Sequence, residues 1–292
     1  MSRISQTLKP LTPHGVRAKC GVWEVGVPGV MHFGKFLLHS TPVNSRHQNL
    51  RAYYRALYSA WGPQHWWPGR TRLEVVVGAY LTQNTSWKNV EIALRRLREA
   101  KALSLAALRV TPLTRLEALI RPAGYFRQKA ARLKKFVSFL DSHYAGSLSR
   151  MFAQPTNKLR EELLALDGIG PETADSILLY AGQHPVFVVD AYTRRILERH
   201  AILPADASYE EIRALFEQSL ADQVPLRTEN RDPRTGFAHS PSAMSRAPRS
   251  PAAQVFNDMH ALLVVVGKQY CRKSEALCAQ CPLQVFLPQS GS

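Results

Sequence analysis

Two features that lie close together carry the chemistry this chain could perform. The first is Asp190, which closes the apolar run 185–189 (PVFVV) and precedes AYTRRILERHA, a stretch of helical periodicity. An aspartate at that position is a natural N-cap. The helix dipole favours its ionised form, so the same carboxylate could stay negative beside a sugar developing positive charge and could orient a water for attack. Those are the requirements for cleaving an N-glycosidic bond through an oxocarbenium-like state. On spacing alone, a structural cap and a catalytic cap both remain open.

The second feature is the turn Asp167-Gly168-Ile169-Gly170. It joins a helical pattern over 157–166, marked by Leu159, Leu163 and Leu166, to another over 171–181 that runs through Ile177, Leu178 and Ala181. Glycines permit left-handed backbone and close approach, and Pro171 suits a first helical position, where its missing N–H costs nothing. Free N–H groups at such a helix start, together with the dipole, make an anion site suited to a nucleic-acid phosphate and blind to base sequence. An ordinary helix–helix connection would carry the same glycines, so the turn by itself does not decide.

The run LDGIGPETADSILLYA over 166–181, followed by VFVVDAYTRR over 186–195, resembles the helix-hairpin-helix (HhH-GPD) DNA glycosylases of the endonuclease III superfamily. His65-Trp66-Trp67-Pro68, LEVVVGAYLTQNT over 73–85 and RPAGYFRQKA over 121–130 look like the 3-methyladenine DNA glycosylase III branch. Four motifs in one order across roughly residues 65–200 make the resemblance specific. It implies that Asp190 is the catalytic carboxylate, that Gly168, Ile169, Gly170 and Thr173 hold the DNA backbone, and that Trp66 and Trp67 line the base pocket. It also implies that Gln83 and Tyr125 fill the duplex once a base is flipped out.

Members of this superfamily that also nick the strand carry a lysine where this chain has Glu172. Without that amine the Schiff-base route is closed, so the resemblance implies a monofunctional glycosylase with no lyase activity. Glu172 is either a first-turn acid answering the helix dipole or a member of the base pocket. Positively charged alkylated purines such as 3-methyladenine would gain from stacking on indole faces. An enzyme for oxidised, deaminated or mismatched pyrimidines is the alternative, and a noncatalytic damaged-DNA sensor is a third reading from another class. The expected partner is double-stranded DNA containing a damaged base, bound by a monomer.

Composition agrees with a phosphate-rich partner: 38 Lys plus Arg stand against 22 Asp plus Glu, a formal charge of +16. From Arg121 to Leu140, Arg121, Arg127, Lys129, Arg132, Lys134 and Lys135 oppose an apolar stripe of Leu133, Phe136, Val137 and Leu140, and a basic DNA-facing side is expected there. No apolar stretch reaches membrane-spanning length and no signal peptide opens the chain, so a soluble cytoplasmic protein is expected.

Helical periodicity dominates, giving an all-α class with two helical domains and a DNA-binding cleft between them. Helices are predicted over 50–61, 71–83, 87–100, 113–120, 126–143, the two hairpin segments, 192–200, 209–220 and 254–268; only VFVV resembles a strand. The expected organisation is a partly ordered N-terminal extension over 1–48 and a six-helix domain over 70–182. A second helical domain would be formed by 49–69 with 183–222 and 254–292. Residues 223–253, with Pro225, Pro233, Pro241, Pro248, Pro251 and five arginines, read as a disordered basic insertion.

Cys271, Cys278 and Cys281 resemble the first three ligands of the superfamily's C-terminal iron-sulfur loop, but Leu287 occupies the fourth position and Cys20 is distant in sequence. A [4Fe-4S] cluster needs four thiolates, so an incomplete set with no metal, its cysteines free thiols, is the expectation. His260 and Lys268 lie on the C-terminal helical pattern without an assigned role.

Overall fold

The computed structural model describes residues 43–226 and 239–288. These form twelve α-helices and no sheet; their only β-type pairing is an isolated bridge between Cys271 and Ala276. VFVV is a buried connection rather than a strand.

The helices are α1 (Val43–Trp61), α2 (Arg72–Thr82), α3 (Trp87–Glu99), α4 (Leu105–Val110), α5 (Leu113–Ile120), α6 (Phe126–Tyr144), α7 (Leu148–Phe152), α8 (Thr156–Leu164), α9 (Pro171–Ser176), α10 (Ala191–Arg199), α11 (Tyr209–Leu220) and α12 (Pro251–Gln269). Hydroxyl caps start several of them. Thr71 accepts from the Glu74 amide at 3.1 Å, Ser208 and Glu211 form a reciprocal capping box, and Ser250 caps α12 just before Pro251. The two short helices α4 and α7 escape a periodicity test because neither presents two turns of pattern.

The sequence over α2 is apolar on all sides, and every residue from Leu73 to Leu81 is buried, so this helix must be central. Around it pack α3, α6 and α9, with α5 against α3 and α6. A second group forms where α12 meets α1, α10 and α11. Close contact of α12 with α10 depends on Gly267, whose added Cβ would lie 2.2 Å from the Tyr192 ring. A π-helical turn, Ile177–Gly182, touches both α2 and α12 and so links the two groups. Such turns arise where one residue is accommodated beyond the α-helical repeat, often beside a site.

A polar network also crosses between the groups. Arg160 of α8 donates to both carboxylate oxygens of the fully buried Asp175 at 2.7 and 3.1 Å, and to Glu210 of α11 at 2.6 Å. Burial pushes the Asp175 carboxyl up, and the Arg160 guanidinium opposes that shift.

Two expectations about the margins change. The first helix begins at Val43 rather than near residue 50, while residues 1–42 lie outside the described residues. Of the predicted disordered insertion, 227–238 lies outside the described residues, but 239–250 is packed. Met244 is buried, the His239 amide donates to Gln64 O and the Met244 amide to Gly69 O, while Arg249 ties down Met244 and Ser245 carbonyls at 2.6 and 3.1 Å. Low apolar content did not preclude order, because backbone and arginine hydrogen bonds do the anchoring.

Candidate active site at the hairpin and the start of α10

The hairpin between α8 and α9 is shaped by one glycine. Gly168 has φ +76°, and a Cβ there would fall 1.9 Å from Arg132 Nε, so both conformation and space require its hydrogen side chain. At Gly170 no heavy atom lies within 4 Å of a built Cβ, so that face is open to an approaching group. Ile169 is buried and pins the turn, its amide donating to Leu166 O at 3.1 Å. The amides of Gly168 and Gly170 donate to no group among the described residues. Thr173 is buried, its amide donates to Gly170 O and its hydroxyl accepts from Gln83 at 3.0 Å, so it braces the turn.

Asp190 caps α10. Its Oδ1 accepts from both the amide and the hydroxyl of Thr193, at 2.8 and 2.9 Å. Oδ2 lies 3.6 Å from His260 Nε2, and the side chain keeps 12% exposure. Burial alone would raise this carboxyl, but His260 and the two Thr193 donors outweigh it and hold Asp190 below the usual carboxylate range. The Tyr180 hydroxyl, in the π-helical turn, meets His260 Nδ1 at 2.5 Å. A line of contacts therefore runs from Tyr180 through His260 to Asp190.

Glu172, in the first turn of α9, is solvent-accessible yet hemmed in by protein, the situation of a side chain on a cleft wall. Burial, then the charge of Asp190, push it up to about 7, with His260 and Arg194 opposing. Two neighbouring carboxyls are thus driven apart, one held ionised and the other shared between both forms near neutrality. Such a split divides acid and base roles between paired groups.

Residues 77–222 match the family described as HhH-GPD superfamily base excision DNA repair protein. The protein named "Putative DNA repair glycosylase MJ1434" of Methanocaldococcus jannaschii is 40% identical over 235 residues, which cover 80% of this chain and 93% of that one. The chain belongs to the HhH-GPD superfamily of base excision DNA repair proteins. Among solved structures, the H. pylori 3-methyladenine DNA glycosylase bound to 1,N6-ethenoadenine is 27% identical with a TM-score of 0.60, covering 77% of this chain and 97% of that one. A non-covalent endonuclease III–DNA complex shares the fold at 21% identity, with a TM-score of 0.63 over 82% and 94% of the two chains.

In this HhH-GPD protein the paired tryptophans are mostly buried. Trp67 packs against Tyr180 and edge-on to Trp87, while Trp66 contacts Trp87 and the His239 ring. Lys268 Nζ sits 5.8 Å from the Trp66 ring centre. Burial lowers the Lys268 ammonium, and the charges of Asp190 and Glu91 oppose that shift. Among the described residues, the indole N–H groups of Trp66 and Trp67 have no hydrogen-bond partner. A cavity of about 50 Å³ lies beside Trp66, walled by Gln64, His239 and Lys268. A wide surface depression of about 670 Å³ lined by Asp141, Tyr144, Arg150 and Lys158 holds none of the residues singled out from the sequence.

The structure therefore adds Tyr180, His239, His260 and Lys268 to the neighbourhood of Asp190 and Trp66. A signal for His260 existed: Asn257, Asp258 and His260 are polar residues in the middle of a largely apolar helix, and all are buried. His239 had none, since it lies in the stretch set aside as disordered.

Of the two predicted wedge residues, Tyr125 is 64% exposed at a left-handed turn before α6. Gln83 is tied back: its Nε2 donates to Gly168 O at 2.9 Å and to Thr173, and its Oε1 accepts from Arg132 at 3.3 Å. The expected basic face of α6 is also largely engaged. Lys129 is buried, Lys134 caps the Leu108 and Arg109 carbonyls, and Lys135 pairs with Asp167 at 2.8 Å.

Cys271, Cys278, Cys281 and Leu287 line one pocket with His200 and Arg199. Cys271 and Cys281 are free. Among the described residues no group of three or more His, Cys, Asp or Glu is placed to hold a metal ion. With an apolar leucine in the fourth ligand's place, these residues do not fit a four-thiolate cluster. Among them, too, no helix is long and apolar enough to cross a membrane.

Proposed function

We propose that this DNA glycosylase is a monofunctional enzyme that hydrolyses the N-glycosidic bond of a flipped, damaged purine, with alkylated purines such as 3-methyladenine as its substrate class. The observation that carries the proposal is the pair of carboxyls at the mouths of α9 and α10. Asp190, pinned through Oδ1 and with Oδ2 turned away from its cap, stabilises the developing sugar cation and positions a water. Glu172 stands where an attacking amine would be needed for strand nicking, and a cationic base that leaves as a neutral molecule needs no proton from it. The amides of Gly168 and Gly170 take a backbone phosphate, as free N–H groups at a helix start do. Trp66 lines the base pocket, Tyr125 fills the duplex from an exposed loop tip, and Gln83 supports it from beside the hairpin. The likeness to a glycosylase solved with ethenoadenine supports a purine substrate. The enzyme acts as a monomer on double-stranded DNA.

One observation favours a second reading. Lys268 already sits over the Trp66 face, where a cationic base would otherwise stack. A neutral oxidised or deaminated base carrying a carbonyl acceptor would suit that ammonium better. A panel of duplexes, each with one lesion and assayed for free base before and after alkali, separates the two. Release of alkylated purines with strand scission only after alkali is expected. Preferential release of a neutral pyrimidine would overturn the substrate class. A borohydride-trapped adduct would overturn the monofunctional assignment and point to Lys268 as the amine.

A further inference from the structure

Lys129 stands out as a cation removed from water inside a DNA-binding protein. Its side chain is 1% exposed, and its three N–H donors are all used, on Leu81 O at 2.9 Å, Gln83 O at 2.7 Å and Ala123 O at 2.8 Å. Those carbonyls belong to two different loops. Leu81 and Gln83 end α2, and Ala123 ends the short turn before α6. Just beyond the bonded carbonyls, each loop turns through a non-glycine residue in the left-handed region: Asn84 at φ +51° and Tyr125 at φ +45°, both exposed. The Lys129 amide also donates to Tyr125 O at 3.0 Å. One turn further along α6, Arg132 holds the Gln83 side chain and lies against Gly168.

We infer that Lys129 is a positioning residue for base extrusion: its ammonium clamps the two duplex-facing loop tips, at Gln83-Asn84 and Gly124-Tyr125, at a fixed separation from behind. This rests on the proposed placement of both loops at the flipped-base gap. Three carbonyls left without a donor would repel one another, whereas one ammonium satisfies all three, so the spacing of the tips is set by a single atom. Helix-end capping alone would need only one of the loops. Burial lowers the ammonium to about 8, with Arg132 adding to the shift, so the clamp is charged at neutral pH.

The test compares one lesion in two settings, fully paired and opposite an abasic site, where extrusion is easier because no partner base must be unpaired. Lys129→Met is expected to slow excision of the paired lesion by about tenfold or more while excision opposite the abasic site stays close to wild type, since the role concerns extrusion. Equal losses on both substrates, or none on either, would overturn the inference. Should Lys129→Met fail to fold, the exposed tips decide through Asn84→Gly, Tyr125→Ala and the double variant. A shared clamp makes their effects on paired-lesion excision non-additive. Simple additivity would overturn the inference. If the wild-type protein releases base from neither substrate, the glycosylase proposal fails and the clamp is not what failed.

Discussion

The hairpin and the cap of α10 are built mainly from residues 164–193, with Gln83, Arg132 and His260 reaching in from elsewhere, whereas the pocket wall draws Trp66, Tyr180, His239, His260 and Lys268 from four separate stretches of chain. In the first region the working groups are backbone amides and a capping carboxylate, whose positions follow from local turn and helix geometry. In the second they are aromatic and titratable side chains held by long-range packing. One segment of that wall, 239–250, is fixed by hydrogen bonds from Arg249, Ser242 and main-chain amides together with the buried Met244 and the His239 ring on Trp66. On the proposed reading, backbone recognition and base recognition are therefore separable, and substitutions should divide along the same line.

The largest effect should come where the hairpin is braced from below. Arg160→Met leaves Asp175, which has no solvent exposure, as an uncompensated buried charge. Denaturant unfolding should show a loss of about 3–5 kcal/mol. A loss under about 1 kcal/mol would mean that the network does not hold the two helix groups together.

Next come the two hairpin glycines, which should respond differently. Gly168→Ala meets both a positive φ and the Arg132 side chain, costing roughly 1–3 kcal/mol of stability. Gly170→Ala has free space and should stay within about 0.5 kcal/mol of wild type while weakening DNA binding measured by anisotropy, because its new methyl faces the incoming phosphate. Equal behaviour of the two variants would break the distinction between conformation at 168 and access at 170.

On α12, the helix that also carries His260 and Lys268, the expected effect is smaller and depends on pH. Burial pushes Asp258 up to about 7 from 3.8, with Gln254 and Arg249 opposing. The native state therefore holds its proton to higher pH than the unfolded chain does. Its stabilising contribution is complete below pH 3.8 and is lost as pH rises through about 7. Asp258→Asn should flatten the fall in melting temperature over that window, and an unchanged slope would show that Asp258 is ionised in the folded state.

Much of this was legible in the linear sequence. The bounds of α5 and α11 follow from periodicity and a capping box, and Asp190 was readable as a cap because that role is decided within four residues. What escaped did so for physical reasons. Lys129 sits among basic residues that look like a solvated face, and only three carbonyls from distant loops make it a buried clamp. That Thr173 is tied to Gln83 was not legible either, because the two residues are distant in sequence. The 239–250 segment lacks apolar periodicity because hydrogen bonds, with Met244 as a single buried apolar anchor, hold it in place. Paired tryptophans announce an aromatic pocket, but which face stays accessible depends on His239 and Lys268, far along the chain.

The most direct measurement is single-turnover base release from a methylated duplex by Asp190→Asn, with binding to the same duplex measured alongside. The amide oxygen can still accept from Thr193, so the helix cap and the fold should persist. A drop of about 10²–10³-fold in the release rate with binding retained is the predicted result. Release at the wild-type rate would contradict the central claim that this carboxylate performs the chemistry.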